Sequence, residues 1–313
     1  MSPPLTYLSA HPIAIPSGGH VVVAVVRNEM LRLPYFLAYY RGIGFHHFIF
    51  IDNGSDDGTR EYLRGQVDVS LLATDQGYGA SGFGMAWVNQ VLDAYCEGCW
   101  VLVADADELL VWPGSEPQTI QQLTARLDAC QALGVFTLLL DMYSDKPFGS
   151  VGYVQGAPFL ASTLFYDGGP YQFVPAALFP FRQIYGGVRA RIFRELKDLQ
   201  FHPPTVSKLP FLRWQRGQKF VLSAHGLANP VALAPLRGAL LHFKMFDDLP
   251  AKCNAEVARG QHFAGGREYW ALGEVIGRAP NHSLFDPRCS VRYAGTSQLV
   301  SLGLMNDRDP FGA

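Results

Sequence analysis

The sequence predicts an α/β fold with a mostly parallel central sheet and helices on both faces. Apolar, β-branched runs of strand length recur through the first half of the chain. Segments with helical spacing separate them, and polar or acidic residues follow each run at once. Val21 to Val26 is the first run, continuous enough for a strand buried on both faces. Pro34 suits the first turn of a helix, and YFLAYYRG carries it to Gly42. His47 to Ile51 is the second strand, closed by the turn formers of DNGSDDG. Thr59 to Gly65 reads as a short helix, Val67 to Leu72 as a weaker strand, and Phe83 to Tyr95 as a second amphipathic helix. Trp100 to Ala104 and Val135 to Leu140 complete the strand set. Ligands of such sheets bind beyond the carboxyl ends of the strands. The residues to watch are therefore Arg27, Asn28 and Glu29, then Asp52, Asn53 and Ser55, then Asp105, Asp107 and Glu108, then Asp141.

Composition narrows the partners. Of 313 residues, 49% are hydrophobic and 17% charged, which excludes wholesale disorder. A formal net charge of -2 gives no global basic field, so nucleic acid is not expected as a partner. The N-terminal stretch has no basic region ahead of an apolar one, and the longest apolar runs, VVVAVV and VFTLLL, are too short to cross a bilayer. The expectation is a cytoplasmic protein without a transmembrane segment, with peripheral membrane association left open. Five cysteines in irregular spacing suggest no disulfide framework. The C-x-x-C of Cys96 and Cys99 has no second ligand pair at zinc spacing and reads as ordinary thiols. Composition shifts near residue 145, where Gly, Pro and aromatics take over. The expected layout is an N-terminal extension over 1–19, a first half over 20–145, a second half of the same domain over 146–277 and a peripheral tail over 278–313.

Two segments carry most of the chemical signal. In VLVADADELLV, Asp105, Asp107 and Glu108 crowd the end of an apolar strand. Such crowding is repulsive unless a cation or donors offset it. Mg²⁺ and Mn²⁺ bind through one or two carboxylates plus substrate phosphates, which suits this motif. The bland alternative is a solvated acidic turn. In FIFIDNGSDDGT, Asp52 at the strand tip is placed to accept hydrogen bonds from a base or ribose, while Ser55 or Asp57 can equally cap the next helix.

Read together, the segments resemble the GT-A fold glycosyltransferases of the family 2-like type, in particular a bacterial subgroup. The resemblance rests on RNEMLRLPYFLAYYRGIGFHHFIFIDNGSDDGT, FGMAWVN, CWVLVADADELLV, GGVRARIF, SKLPFLRW, SAHGL, LLHFK and RGQH followed by GREY. It spans roughly residues 20 to 272. It implies a metal-dependent transfer of a sugar from a nucleotide-sugar donor, UDP-linked by expectation, to a saccharide or lipid-linked acceptor. Arg27 and Asn28 would line the nucleotide pocket and Asp52 would meet the base. Asp105 would lie near ribose or metal and Asp107 on the metal. A late His often completes such a metal site, and His242 is preferred over His225.

Chemistry makes the rest explicit. A nucleoside diphosphate leaves readily only when its developing charge is neutralised. Arg189 and Arg191 have alternating strand spacing and would both face the phosphates, with Lys208 and Lys244 as further candidates. The usual family 2 Glu-Asp pair downstream of the metal motif is not evident, and Glu195 and Asp198 take no role by analogy. Asp141, ending the VFTLLL run, is the expected general base for an inverting transfer. Glu256, Arg259 and His262 read as a polar brace over the site. Two rivals stay open: a Mg²⁺ phosphohydrolase using the D-x-D motif, and a non-catalytic nucleotide-sugar binding protein.

Overall fold

The computed structural model describes residues 5–148, 150–194, 196, 203–221, 223–278 and 281–308. Its strands and helices alternate from the start. After the two-residue β1 (Thr6–Tyr7) come β2 (His20–Val26), α1 (Leu33–Gly42), β3 (His47–Asp52), α2 (Thr59–Arg64), β4 (Val69–Ala73), α3 (Met85–Tyr95) and β5 (Trp100–Val103). Each expected element of this stretch is present, with boundaries shifted by a residue or two. Pro34 does sit in the first turn of α1, whose Leu33, Phe36, Leu37 and Tyr40 form the buried stripe.

The chain then leaves β5 through the acidic turn, runs back as β6 (Glu108–Val111), forms α4 (Ile120–Ala129) and enters β7 (Gly134–Asp141). Thr119 and Gln122 close α4 with a capping box. All eight residues of β7 are buried. Two small strands follow, β8 (Phe165–Asp167) and β9 (Tyr171–Pro175), and then β10 (Arg182–Gly186), which pairs with β9. Next are α5 (Gly187–Arg194), β11 (Ser207–Arg213), the short pair β12 (Phe220–Val221) and β13 (Gly226–Leu227), and the long β14 (Leu233–His242). α6 (Leu249–Arg259), α7 (Phe263–Arg278), β15 (Ser290–Arg292) and α8 (Thr296–Ser301) complete the chain.

Among the described residues, nine strands form one sheet in the order β1-β4-β3-β2-β5-β11-β7-β14-β6. β2, β3, β4, β5, β7 and β14 run one way, while β1, β11 and β6 run against them. The sheet is thus mixed but mostly parallel. β11 is not among the expected strands, because Pro210 interrupts it. The sheet accommodates the proline with a register shift between Lys208 and Phe211.

The register of β7, β14 and β6 matters most. His242 pairs with Asp141 on one side and Glu108 on the other. Three ionisable residues far apart in sequence therefore lie side by side across three adjacent strands.

GGVRARIF departs from its expected strand and forms α5. A tight turn starts it: a Cβ at Gly186 would lie 2.4 Å from the Pro170 carbonyl oxygen, so glycine is required there. On a helix, residues two apart point roughly 200° from each other. Arg189 accordingly faces Asp141, and Arg191 turns to Asp167. The expectation that both arginines face one ligand is corrected by that geometry.

Candidate functional site

The loops after β2 and β3 are stitched into one unit. Arg27 donates to the Asn53 carbonyl at 3.0 Å, and the Asn28 backbone N–H donates to Ser55 Oγ at 3.0 Å. The Asn28 side chain donates to Asp56 at 2.8 Å and accepts from the Asp56 N–H at 2.9 Å. Glu29 and Met30 donate their N–H groups to Thr59 and Asp57. Asn28 holds a φ of 54°, a left-handed conformation that asparagine tolerates better than most residues. The polar residues of RNE and DNGSDDGT thus satisfy one another, which explains locally why both motifs occur together.

This clasp relocates two expected ligand contacts. Asp52 is fully buried and accepts two hydrogen bonds from Arg60, at 3.0 and 2.5 Å. Neither Asp52 nor Asn28 is among the residues lining the cavity described below, whereas Arg27 and Asn53 are.

The acidic motif is neutralised from β11 and β14. Lys208 donates to Asp105 at 3.0 Å and also to Glu108. Glu108 in turn accepts the Asp105 backbone N–H at 3.2 Å. Burial pushes the Glu108 carboxyl up to about 7 despite the pull of Lys208. Asp105 remains half-exposed to the cavity. On the other side, His242 places Nε2 3.5 Å from Asp107 Oδ2 and Nδ1 2.5 Å from Asp141 Oδ1. Burial opposes a charge on His242, yet Asp107 and Asp141 raise it to about 9. Burial likewise opposes ionisation of Asp107, and His242 overrides it, holding that carboxyl well below the usual range.

Asp141 is corrected from general base to anchor. Arg189 grips both its oxygens, at 3.1 and 2.7 Å, and His242 takes one of them again. Burial is outweighed by Arg189, so the carboxyl is held far below its ordinary value. Asp141 does not line the cavity. A general base must come within about 3 Å of the acceptor hydroxyl, and a carboxylate turned away from the cavity lacks that access. It does fix the orientation of the His242 ring.

The cavity holds about 600 Å³, inside the usual range for small-molecule sites. Arg27, Asp105, Asp107, Glu108, Arg189, Lys208, His225 and His242 line its floor, with Lys244, Lys252, Glu256, Arg259, His262 and Glu268 on the side of α6 and α7. Of the arginine pair proposed for phosphates, only Arg189 reaches it. Lys244 donates to Glu268 at 2.8 Å and Lys252 to Glu29 at 2.6 Å. Glu256, Arg259 and His262 do assemble: the His262 Nε2 lies 2.9 Å from Glu256, and Arg259 lies 3.4 Å from it. The His262 ring sits between Tyr78 and Tyr269, at 5.2 and 4.8 Å, and Gln261 accepts the Tyr78 N–H at 2.7 Å. Residues 261–262 thereby tie the α6–α7 junction to the loop after β4. Glu195 and Asp198 lie outside the described residues.

Among the described residues no three His, Cys, Asp or Glu side chains converge as a ready metal cage. Mg²⁺ and Mn²⁺ do not require one, since phosphate oxygens and water supply most of their shell. Asp107 and His242 offer a carboxylate and an imidazole side by side at the cavity wall, with His242 Nδ1 committed to a carboxylate. That arrangement is how proteins orient a metal-binding imidazole, so the residues present fit a divalent cation.

His225 has a different part. Its Nδ1 lies 2.6 Å from the Ser207 carbonyl oxygen. Burial, aided by Lys208, lowers its pKa to about 4. The neutral ring is favoured by folding, so stability is lost as pH falls from 6.5 through 4, by up to about 3 kcal/mol. Chemical denaturation of wild type and His225→Asn should diverge across that window, with the flatter profile in the variant.

No family model matches the chain, and no curated protein matches it. Solved structures give distant likenesses. One described as a putative glucose-1-phosphate thymidylyltransferase from Bacillus anthracis has 11% identity and a TM-score of 0.32, covering 82% of this chain and 83% of its own. A UDP-glucose pyrophosphorylase from Acinetobacter baumanii has 11% identity and a TM-score of 0.30, covering 83% and 82%. A mannose-1-phosphate geranyltransferase from Thermus thermophilus has 14% identity and a TM-score of 0.26, covering 54% and 49%. Likeness at this level decides nothing about chemistry, and the site has to be read from its own side chains.

Proposed function

We propose that the chain is a metal-assisted glycosyltransferase of GT-A type. It takes a nucleotide-sugar donor, UDP-linked in the first instance, and delivers the sugar to a saccharide or lipid-linked hydroxyl. The observation that carries this reading is the Asp107–His242 pair at the cavity wall, held from behind by Asp141 and Arg189. Asp107 and His242 would hold a divalent cation, with Asp105 beside them. The cation supplies charge neutralisation at the donor diphosphate. Arg27 and Lys208 line the same wall and add positive charge toward the leaving group. The ribose or base is left to Asn53 and Tyr78, which line the cavity where Asp52 does not.

With Asp141 turned away, Glu268 is the carboxylate offered to an acceptor. It lines the cavity, is 26% exposed and lies 4.0 Å from Arg189, which itself touches His242. Glu256 is more enclosed and shared between Arg259 and His262.

The test is binding. UDP with Mn²⁺ at a hundred times its dissociation constant should stabilise the protein by about 2.7 kcal/mol. Chelation should remove most of that gain, and Asp107→Asn should remove its metal-dependent part. Mn²⁺-dependent stabilisation of equal size in the variant would sink the metal site. A panel of UDP-sugars in the same assay identifies the donor.

A further inference from the structure

The cavity is divided by charge. Ionisable side chains crowd its floor and its α6–α7 side, Asp105, Asp107, Lys208, His242 and Glu268 among them. The flank built from β10, α5 and the segment leading into β11 is different. Gln183, Tyr185, Phe193, Pro203, Pro204 and Thr205 line it. Among the described residues of this flank the charged one is Arg189, and Asp141 already engages its guanidinium.

The polar tips on this flank are spent on one another. Gln183 and Tyr185 reach the cavity because Ile184 between them turns into the core, at 1% exposure. Tyr185 donates its hydroxyl to Gln183 Oε1 at 2.7 Å. Thr205 donates to the Ile184 carbonyl at 3.1 Å, and its oxygen lies 2.8 Å from Ser207 Oγ. What the flank offers a ligand is therefore mainly ring and methyl surface. A saccharide lying against it would bury hydroxyls without partners, which costs affinity. An apolar body loses nothing there and gains by leaving water.

The flank also begins at the right place. Phe193 follows Arg189 by four residues on α5, so the two share one helix face. Arg189 in turn lies 4.0 Å from Glu268. An acceptor hydroxyl held at Glu268 would have its remaining atoms running along Phe193 and Tyr185.

We infer that the acceptor is an alcohol or phenol whose hydroxyl is carried on an apolar body, and that this flank holds that body. The inference rests on the glycosyl-transfer reading above and chooses the lipid-like acceptor over the saccharide. In the transfer, the acceptor oxygen bonds to the anomeric carbon as that carbon's bond to the diphosphate oxygen breaks. The electron pair leaves with the diphosphate, and the hydroxyl proton passes to Glu268.

Titration calorimetry of the full chain preloaded with UDP and Mn²⁺ tests this. The probes are 1-alkanols from butanol to octanol and a matching series of 4-alkylphenols, each below its solubility. Affinity is expected to rise about fourfold for each methylene buried, until the flank is filled. The two series separate an alkyl from an aryl acceptor by which binds tighter at equal carbon number. Methyl glucoside and lactose should bind more weakly than octanol. Tyr185→Asp and, separately, Pro204→Asp should flatten the dependence on chain length while UDP with Mn²⁺ still stabilises each variant. A flat series, or saccharides that bind tighter than octanol, overturns the inference and leaves the donor site standing if UDP and Mn²⁺ still bind. An unchanged slope in both folded variants overturns the assignment to this flank. A chain-length slope in a protein that binds no UDP with Mn²⁺ marks an apolar site without a donor beside it, and the acceptor role falls together with the glycosyl-transfer reading.

Discussion

Glu268→Gln is expected to lower turnover by roughly 10² to 10⁴, the usual scale for losing general-base help, while Mn²⁺-dependent donor binding persists. The substitution keeps the shape and a hydrogen bond to Lys244, and it removes the negative charge. In the native protein burial is outweighed by Lys244 and Arg189, which hold the Glu268 carboxyl down at about 2. It is therefore ionised throughout the neutral range, the form that can accept a hydroxyl proton. Its neighbours place it well: Arg189 lies 4.0 Å from Glu268 and 3.3 Å from the His242 ring. The acceptor side and the proposed cation side thus meet around one guanidinium. Should Glu268 serve only to anchor Lys244, the variant would lose stability and keep its turnover per folded molecule. A product with retained anomeric configuration would also count against a base at this position, since a single inverting displacement is what calls for one.

How much of this is legible in the sequence depends on how local the physics is. β2, β3 and β5 are buried strands whose sequences are continuous apolar runs, so they can be read without their neighbours. β11 cannot, because Pro210 breaks its pattern and only the flanking strands β5 and β7 make it a strand. α5 is misread from sequence since Arg-Ala-Arg fits strand alternation as well as a helix, and the turn at Gly186 decides between them through the Pro170 carbonyl. The acidic motif and His242 are visible because each directly follows an apolar run. Their relation is not: it depends on the β7–β14–β6 register, which joins positions 108, 141 and 242. Asp52 and Asn28 look available because their partners, Arg60 and Asp56, lie in the next turn and are ordinary surface types in sequence. Glu268 carries a faint signal, a carboxylate just after the Gly-Gly of the α6–α7 junction, but nothing local distinguishes it from Glu256.

Arg189→Met is expected to destabilise the fold by about 3 kcal/mol, read as a lower urea midpoint at unchanged slope. Arg189 is 7% exposed and Asp141 5%, so removing the cation leaves a carboxylate buried with less compensation. Breaking such pairs typically costs about 3 to 5 kcal/mol. The lower end applies here because His242 still faces Asp141 at 2.5 Å and carries a proton readily. The second substitution decides the cause. If the penalty comes from the stranded charge, adding Asp141→Asn should recover much of it, since the neutral amide needs no cation and can still accept from His242. The two changes would then be strongly non-additive, as contacting residues in one network should be. If instead the loss reflects a packing hole at the base of α5, Asp141→Asn would add its own cost on top. In that outcome the Arg189–Asp141 pair would not be what orients His242, and the support for a cation held by Asp107 and His242 would weaken with it.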